Sequence, residues 1–453
     1  MSRAATGCSW TPPRPTPSAT TSRRGCFPRA CCAVSATSRR SPSPNAAASA
    51  VADRPAAGLD RLAAVPELAV IGGGQLARMM QQPAIALGIR LRLLAEGPDV
   101  SAAQVVVDHE VGDYTDLDAL RRITADVDVV TFDHEHVPPA HLRALQDSGV
   151  ACRPGPQALI YAQDKGDMRA KLAELSLPAP AFAVVDPGTD GAEVARAELA
   201  AFGERVGWPF IVKTTRGGYD GKGVWKVASL DELDEPFSAV AASGARMLAE
   251  ELVDFRRELS AQVARRPSGE MVVYPVVESR QRDGICVEVT APAPDLDVAT
   301  AAEATAVATS VAEGLDVVGM LAVELFETQD GRVLVNEFAM RPHNTGHWSI
   351  DGAETSQFEN HVRAVLDLPL GSPSPRQEWA VMVNILGGRV TDLVAQRAVA
   401  LAAEPDVHIH LYGKDVKPGR KVGHVTATGD DLDDVLRRAR RSAAILTDGD
   451  ETA

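Results

Sequence analysis

The sequence predicts a protein of mixed α/β and α+β class, with a parallel-sheet domain at its start and a small β-rich domain at its end. Strand, glycine-turn and helix patterns alternate from Glu67 to Val137, which is typical of parallel βαβ units. Two apolar runs flank Asp330-Gly331, which indicates an antiparallel hairpin. Short strands with turn residues follow residue 377, and a helix of about a dozen residues from Leu432 ends this pattern.

The composition of the 453-residue chain excludes several classes of protein. A net charge of -15 argues against a general binder of nucleic acid or of membrane surfaces. No apolar run reaches the roughly 18 residues of a transmembrane helix, so we expect a cytoplasmic protein without membrane partners. The six cysteines are spaced too irregularly for a disulfide framework or a zinc site, and four of them lie in the first 32 residues.

Residues 1–65 form a leader that is rich in Arg, Ser, Pro and Ala and has no acidic residue before Asp53. This composition predicts disorder, and it fits either a transit peptide or an over-extended start. The remaining chain divides into predicted domains at residues 66–155, 156–370 and 377–446. Within the second of these domains we expect a lid subdomain at about residues 178–250.

The first domain opens with a buried strand from Glu67, the turn GGGQ from Gly72, and a helical pattern. Pro83 falls inside that pattern and predicts a kink or two short helices. A second strand covers residues 90–95, and a later run, VDVVTFDHEHV, indicates another buried strand with a polar end. The glycine turn followed by Glu96 is a loose dinucleotide fingerprint, so an NAD-binding oxidoreductase stays open beside other phosphate or sugar ligands.

The second domain contains a strand over residues 207–213 that ends in Lys213, followed by the loop GGYDGKG from Gly217. Backbone amides of such a loop can fold over phosphates, and Lys213 and Lys222 supply positive charge. A flexible hairpin tip is the alternative interpretation. The run LAEELVDF, residues 248–255, then predicts an exposed connector strand whose backbone could bind the edge of an adenine.

The hairpin pairs residues 321–328 with residues 332–338 across a two-residue turn, and this register sets Glu324 opposite Glu337. Opposed carboxylates, with Cβ atoms roughly 5 Å apart, repel unless a proton or a cation lies between them. Mg²⁺ suits such ligands when nucleotide phosphates complete its coordination. The alternative is a half-solvated hairpin with an acidic face.

Polar and basic side chains gather in two further segments. The first follows the hairpin and contains Arg341, His343, Asn344 and His347. The second is the loop KDVKPGRK, which begins at Lys414. A solvated charge run and a phosphate site both fit this loop, and we predict a phosphate site because the other domains imply a phosphorylated partner.

Four motifs in order resemble those of the ATP-grasp superfamily: GGGQLARM, TTRGGYDGKGVW, NEFAMRPHNTGHW and LYGKDVKPGRKVGHV. The match is most similar to the 5-(carboxyamino)imidazole ribonucleotide synthase family, also called the ATPase subunit of phosphoribosylaminoimidazole carboxylase. This resemblance implies an ATP-grasp fold with a Rossmann-like preATP-grasp domain. It also implies a carbon–nitrogen ligase of purine biosynthesis, which uses ATP and bicarbonate to carboxylate 5-aminoimidazole ribonucleotide through carboxyphosphate.

The resemblance further implies roles for individual residues. The implied ATP-binding residues are Lys165, Lys213, Gly218, Gly221, Lys222, Glu250, Glu251, Leu252, Val253, Glu258, Gln281 and Asn336. The implied substrate-binding residues are Gln75, Leu76, Glu135, Lys414 and Arg420, and the implied catalytic residues are Tyr219, Asp220, Arg341, His343 and Asn344. Glu324 and Glu337 are implied to hold Mg²⁺ or Mn²⁺, and a homodimer is implied.

The chain departs from the family pattern at three places. Gln281 stands where a histidine is usual, Asp133 and His136 replace Glu and Asn in the first domain, and Met340 replaces Pro. Formate-dependent glycinamide ribonucleotide transformylase shares the architecture and is the nearest alternative, although the NTGHW motif favours the carboxylating branch. A biotin carboxylase fits less well, because the chain has no biotin-carrier segment of the Met-Lys-Met type.

Overall fold

The computed structural model describes residues 65–217 and 223–449. The predicted leader, apart from Val65, lies outside the described residues. So do five predicted site residues of the glycine-rich loop: Gly218, Tyr219, Asp220, Gly221 and Lys222. Across the described ranges, every helix is too short or too polar to span a membrane.

The first sheet has four parallel strands in the spatial order β3-β2-β1-β4. Its strands are β1 (Glu67–Ile71), β2 (Arg90–Ala95), β3 (Asp108–Val111) and β4 (Val129–Phe132). The accompanying helices are α1 (Gln75–Ala86), α2 (Leu117–Ile123) and α3 (Pro139–Asp147). The predicted parallel sheet is confirmed. Strand β3 was not predicted, because its sequence DHEV is polar and lies at the exposed edge of the sheet.

Helix α1 is a single 12-residue helix with Pro83 inside it, so the alternative of two short helices is wrong. Proline removes one backbone donor, whereas the carbonyl of Pro83 still accepts from the backbone N–H of Leu87 at 2.9 Å. Met79, Met80 and Ala84 continue one buried face past the proline. Packing of this face holds the helix together.

A small antiparallel sheet follows helices α4 (Pro156–Gln163) and α5 (Lys165–Glu174). Its strands, in the spatial order β5-β8-β6-β7, are β5 (Phe182–Val185), β6 (Phe210–Thr214), β7 (Val224–Val227) and β8 (Met247–Glu251). Helices α6 (Pro187–Asp190), α7 (Ala192–Val206) and α8 (Asp234–Ser243) belong to the same part of the chain.

Strand β8 corrects the predicted exposed connector. It is paired on both sides, by β5 and β6, and Met247, Leu248 and Ala249 are fully buried. Exposure begins only at Leu252, beyond the strand. Both neighbouring strands are distant in sequence, so nothing within the run LAEEL indicates that it forms a central strand of a sheet.

The largest sheet has nine antiparallel strands, in the order β14-β13-β9-β11-β12-β15-β17-β16 with β10 beside β9. The strands are β9 (Phe255–Arg265), β10 (Met271–Val273), β11 (Val277–Arg282), β12 (Ile285–Ala291), β13 (Gly319–Thr328), β14 (Val333–Ala339), β15 (Trp379–Leu386), β16 (His408–Leu411) and β17 (Lys421–Gly429). The helices are α9 (Val298–Gly314), α10 (Ser349–Gly352), α11 (Gln357–Val365), α12 (Leu393–Ala403) and α13 (Leu432–Asp448). The β-rich C-terminal part therefore continues this sheet through the β12–β15 pairing.

His361 on α11 connects the first sheet with the largest one. Its Nδ1 accepts from the backbone N–H of Met320 at 3.0 Å, so its Nε2 carries the proton and donates to Oγ1 of Thr131 at 2.9 Å. Burial lowers the pKa of His361 to about 3, which keeps the ring neutral in this arrangement. The contact therefore joins strand β4 of the first sheet to strand β13 of the largest one.

Candidate active site

A cleft of about 1230 Å³ opens where the first, small and largest sheets meet. It is lined by all the predicted site residues that the structure describes: Gln75, Leu76, Glu135, Lys165, Lys213, Glu250, Glu251, Leu252, Val253, Glu258, Gln281, Glu324, Asn336, Glu337, Arg341, His343, Asn344, Lys414 and Arg420. Residues from distant parts of the sequence therefore share one cavity.

The opposed carboxylates line the cleft, with Glu324 directly opposite Glu337 in the β13–β14 register. The predicted two-residue turn is wrong, however. Thr328 pairs with Arg332 through a 2.9 Å backbone hydrogen bond, which leaves a three-residue loop whose glycine has a φ of 80°. A bulge between Glu324 and Leu325 shifts the register by one residue and restores the predicted pair.

Each carboxylate of the pair has a basic neighbour. Lys165 Nζ, at the first residue of α5, donates to Glu337 Oε2 at 2.9 Å, and His343 Nε2 lies 3.3 Å from Glu324 Oε1. Burial and the charge of Glu337 raise the pKa of Glu324. Withdrawal from water opposes ionisation of Glu337, but the charge and hydrogen bond of Lys165 hold its pKa below the ordinary value. Burial and Glu337 also raise the pKa of Glu258 to about 7.

Glu324→Gln should stabilise the metal-free protein at alkaline pH. The folded state keeps a proton on Glu324 to a higher pH than the unfolded chain, whose glutamates ionise near 4.5, so stability falls as the pH rises above this value. The variant has no carboxylate to ionise at this position, so it avoids that loss of stability. We expect the melting temperature to rise by about 2 °C or more at pH 8 and to change much less at pH 5. Equal shifts at both pH values, measured by calorimetry in EDTA, would contradict this explanation.

The donor set fits a metal that is completed by a nucleotide. Within residues 65–217 and 223–449, no group of three or more His, Cys, Asp or Glu side chains is arranged to hold a metal ion by itself. Mg²⁺ binds through one or two carboxylates plus phosphate oxygens, and Glu324 and Glu337 supply that number. Both face a cleft that also contains lysines suited to phosphates.

The phosphate and adenine ends of the predicted ATP site are adjacent. Lys213 Nζ lies 2.7 Å from Glu250 Oε2, and the segment from Glu251 to Val253 joins β8 to β9 along the cleft. Apolar side chains that sequence reasoning missed line the same region: Met168, Pro180, Ile211, Phe255 and Phe326. They form an apolar wall of the kind that a purine ring contacts. Gln281 also lines the cleft, and its Nε2 donates to Ser279 Oγ at 3.1 Å.

Buried side chains hold the loop that carries His343 and Asn344. Gln357, which is fully buried, accepts from the backbone N–H of His343 at 2.8 Å and donates to its carbonyl at 2.7 Å. His343 Nδ1 lies 2.9 Å from Thr345 Oγ1 and accepts from the Thr345 backbone N–H at 3.4 Å, which leaves Nε2–H facing Glu324. Burial, with the charge of Arg341, lowers the pKa of His343 to about 3, so this ring is neutral.

The opposite wall comes from the first sheet and the C-terminal loop. Arg341 Nε donates to Glu135 Oε2 at 2.9 Å, whereas Glu135 Oε1 is buried without a hydrogen-bond partner among the described residues. A ligand hydroxyl could supply that partner. Lys414 Nζ contacts Gln75 Oε1, and Arg420 is exposed with one weak contact to a backbone carbonyl. These cations leave room for an anionic group.

The glycine turn of the first sheet does not offer a free anion site. Asp133 Oδ2 accepts from the backbone N–H of Gly74 and Oδ1 from that of Ala77, both at 2.8 Å, while Glu96 Oε2 accepts from Gly73 at 2.9 Å. The amides that a dinucleotide pyrophosphate would use are therefore taken by the chain's own carboxylates. This geometry disfavours the NAD-binding interpretation.

Five titratable residues that line the cleft were given no role from the sequence: His136, Tyr161, Arg216, Cys286 and Lys421. Lys421 begins β17 at the end of the predicted basic loop, and its charge helps to lower the pKa of His343 after burial and Arg341. The position of Lys421 at the end of the basic run KDVKPGRK is the sequence signal that could have identified it. His347, which the sequence grouped with His343, is buried, and its Nδ1 accepts from Gln357 Nε2 at 3.0 Å.

Comparison with protein families gives three matches along the chain. Residues 65–163 match the ribonucleotide synthetase preATP-grasp domain, and residues 170–358 match the ATP-grasp domain. Residues 380–438 match the phosphoribosylaminoimidazole carboxylase C-terminal domain.

Curated relatives and solved structures agree with these matches. The chain is 50% identical over 390 residues to the N5-carboxyaminoimidazole ribonucleotide synthase of Mycobacterium tuberculosis, covering 85% of this chain and 88% of the relative. It is 47% identical to the Corynebacterium ammoniagenes protein of that name, covering 84% and 92%. The Aspergillus clavatus enzyme in complex with ADP and 5-aminoimidazole ribonucleotide aligns with a TM-score of 0.76 and 32% identity, covering 84% of this chain and 98% of that structure.

Proposed function

The chain belongs to the N5-carboxyaminoimidazole ribonucleotide synthase family, and from this premise we propose how its cleft carboxylates 5-aminoimidazole ribonucleotide with ATP and bicarbonate. The enzyme is an ATP-dependent ligase of purine biosynthesis. The residue assignment rests on one observation: Glu324, Glu337, Lys165 and Lys213, which come from the hairpin, α5 and β6, line the same cleft as a second basic group, Lys414 and Arg420, from the C-terminal loop. The first set suits a triphosphate and the second a ribonucleotide phosphate.

We assign ATP to the end formed by the small sheet and the β13–β14 hairpin. Lys165 and Lys213 face the phosphates, the backbone from Glu250 to Val253 faces the adenine edge, and Glu258 faces the ribose. Glu324 and Glu337 would hold Mg²⁺ or Mn²⁺ there, and the ion would neutralise charge on the transferring phosphoryl group. The glycine-rich loop with Tyr219 and Asp220 is assigned as the cover of this site by resemblance alone.

Bicarbonate belongs in the middle of the cleft. One of its oxygens attacks the terminal phosphorus of ATP, the bond to the bridging oxygen breaks, and ADP leaves carboxyphosphate behind. Arg341 and Lys421 offer positive charge to the anion, and the neutral His343 lines the same cleft with its Nε2–H facing Glu324. Carboxyphosphate is short-lived in water, so a closed cleft protects it.

The acceptor then occupies the wall opposite ATP. The exocyclic amine of 5-aminoimidazole ribonucleotide attacks the carbonyl carbon of carboxyphosphate, phosphate leaves, and the amine loses one proton. Gln75, Leu76 and the unpaired Oε1 of Glu135 face the ribose, while Lys414 and Arg420 bind the 5′-phosphate. We further propose a cytoplasmic homodimer, as the family resemblance implies.

Substrate choice tests the proposal against its nearest alternative. ADP release should require 5-aminoimidazole ribonucleotide and bicarbonate, and it should stay at the background rate with glycinamide ribonucleotide and formate. A coupled assay of the purified full chain measures both pairs. Faster release with the second pair would overturn the assignment in favour of a transformylase.

A further inference from the structure

Arg169 is a fully buried arginine that lies beside the nucleotide end of the cleft without lining it. It sits on α5 one turn after Lys165, so both side chains project from the same face of the helix. Its Nε donates to the carboxylate of Glu250, and its Nη2 donates to the backbone carbonyl of Asn336 at 2.6 Å. Arg169 thus joins the small sheet to the strand that carries Glu337.

Glu250 is shared between two cations. Lys213 Nζ lies 2.7 Å from the second oxygen of Glu250, whose side chain is only 4% exposed. Ile211 of β6 pairs with Glu250 of β8, so Lys213 is the diagonal neighbour of Glu250 on the same face. Burial opposes ionisation of Glu250, but the charges of Arg169 and Lys213 hold its pKa below the ordinary value. The three groups therefore carry a net charge of about +1 at neutral pH.

We propose that Arg169 is a positioning residue for the nucleotide phosphates, which acts by neutralising Glu250 so that the charge of Lys213 remains available to them. Without Arg169, Lys213 and Glu250 would form a neutral ion pair beside the cleft. Lys213 lines the cleft and can reach a ligand, whereas Arg169 cannot. The inference rests on the proposed binding of ATP, but not on the identity of the carboxylated substrate.

The first test compares two ligands that differ only in their phosphates. Arg169→Met should raise the dissociation constant of ADP about tenfold or more, because a charge-assisted contact to the phosphates is lost. The dissociation constant of adenosine should change less than about twofold, because adenosine has no phosphate for Lys213 to bind. Titration calorimetry of the full chain measures both constants. An equal loss for both ligands would show a merely structural role and would overturn the proposal.

Two further variants separate charge from packing. Arg169→Lys keeps the positive charge and should recover most of the ADP affinity. The double variant Arg169→Met with Glu250→Gln leaves Lys213 as the only charge of the three, which restores the net charge of about +1. It should bind ADP more tightly than Arg169→Met alone. A further loss of ADP affinity in the double variant would overturn the proposal, because packing defects add.

Glu288 provides a matched control outside the cleft. Like Glu250, it is a buried glutamate shared by two cations: Arg440 Nη2 lies at 2.8 Å and Arg280 Nη1 at 3.1 Å. Arg440→Met should lower the melting temperature without changing the ratio of the ADP and adenosine constants. Failure of the wild-type protein to carboxylate 5-aminoimidazole ribonucleotide would contradict the proposed function, while these nucleotide titrations would still decide the role of Arg169.

Discussion

The Glu337→Gln variant should release ADP about a hundredfold or more slowly than the wild-type enzyme while keeping its fold. Glutamine has nearly the same shape but only a neutral oxygen to offer a cation, and it also loses the charge that Lys165 contacts at 2.9 Å. The fold should survive, because the substitution relieves the repulsion that raises the pKa of Glu324. Steady-state ADP release at saturating ATP, measured over a range of Mg²⁺ concentrations, gives the comparison.

Glu327→Gln is the matched control for this experiment. Glu327 lies on the same hairpin but outside the cleft, where Arg257 Nε contacts its buried carboxylate. This variant should lose stability, since a buried charge pair is broken, but it should keep its turnover. Near-normal turnover of Glu337→Gln at low Mg²⁺ would rule out the metal role of the opposed carboxylates.

The hairpin shows how far local sequence signals reach. Alternating apolar residues and Asp330-Gly331 correctly predict two antiparallel strands, because side-chain period and turn chemistry act over a few residues. The loop is one residue longer than predicted, and this change alone would shift the strand pairing by one residue, so that Glu324 would no longer lie opposite Glu337. The bulge after Glu324 cancels the change. No local signal marks that bulge, so the opposed pair was predicted correctly through two errors that compensate.

The candidate site also shows that local sequence signals do not reveal contacts between residues that are distant in the sequence. Sequence motifs identified residues that line one cleft, because a phosphate or a metal restricts which side chains can bind it. They did not identify Arg169, whose partners Glu250 and Asn336 are 81 and 167 positions away. An arginine in a polar helical pattern is usually an exposed residue. Only the packing of α5 between two sheets makes it a buried cation.

Arg420→Ala should raise the Michaelis constant for 5-aminoimidazole ribonucleotide tens-fold or more and leave the affinity for ATP nearly unchanged. A charge-assisted, two-pronged contact to a phosphate contributes roughly 2–3 kcal/mol, which corresponds to this factor. In the described structure Arg420 is exposed at the cleft and makes only a 3.3 Å contact with the carbonyl of Asp415. Little intramolecular structure is therefore lost with its side chain.

The effect should be confined to the acceptor, because Arg420 comes from the C-terminal loop, whereas Lys165 and Lys213 come from the α5 and β6 side of the cleft. Arg420→Lys should recover only part of the loss, since one ammonium group cannot reproduce the planar fork of a guanidinium.

Arg437→Ala is a suitable control, because Arg437 pairs with Glu404 on the outer face of the same C-terminal part. Titrations of this control variant with ATP and with 5-aminoimidazole ribonucleotide should give the same constants as the wild type. If Arg420→Ala also matches the wild type for both nucleotides, the basic loop is a solvated charge run and the phosphate of the acceptor binds elsewhere.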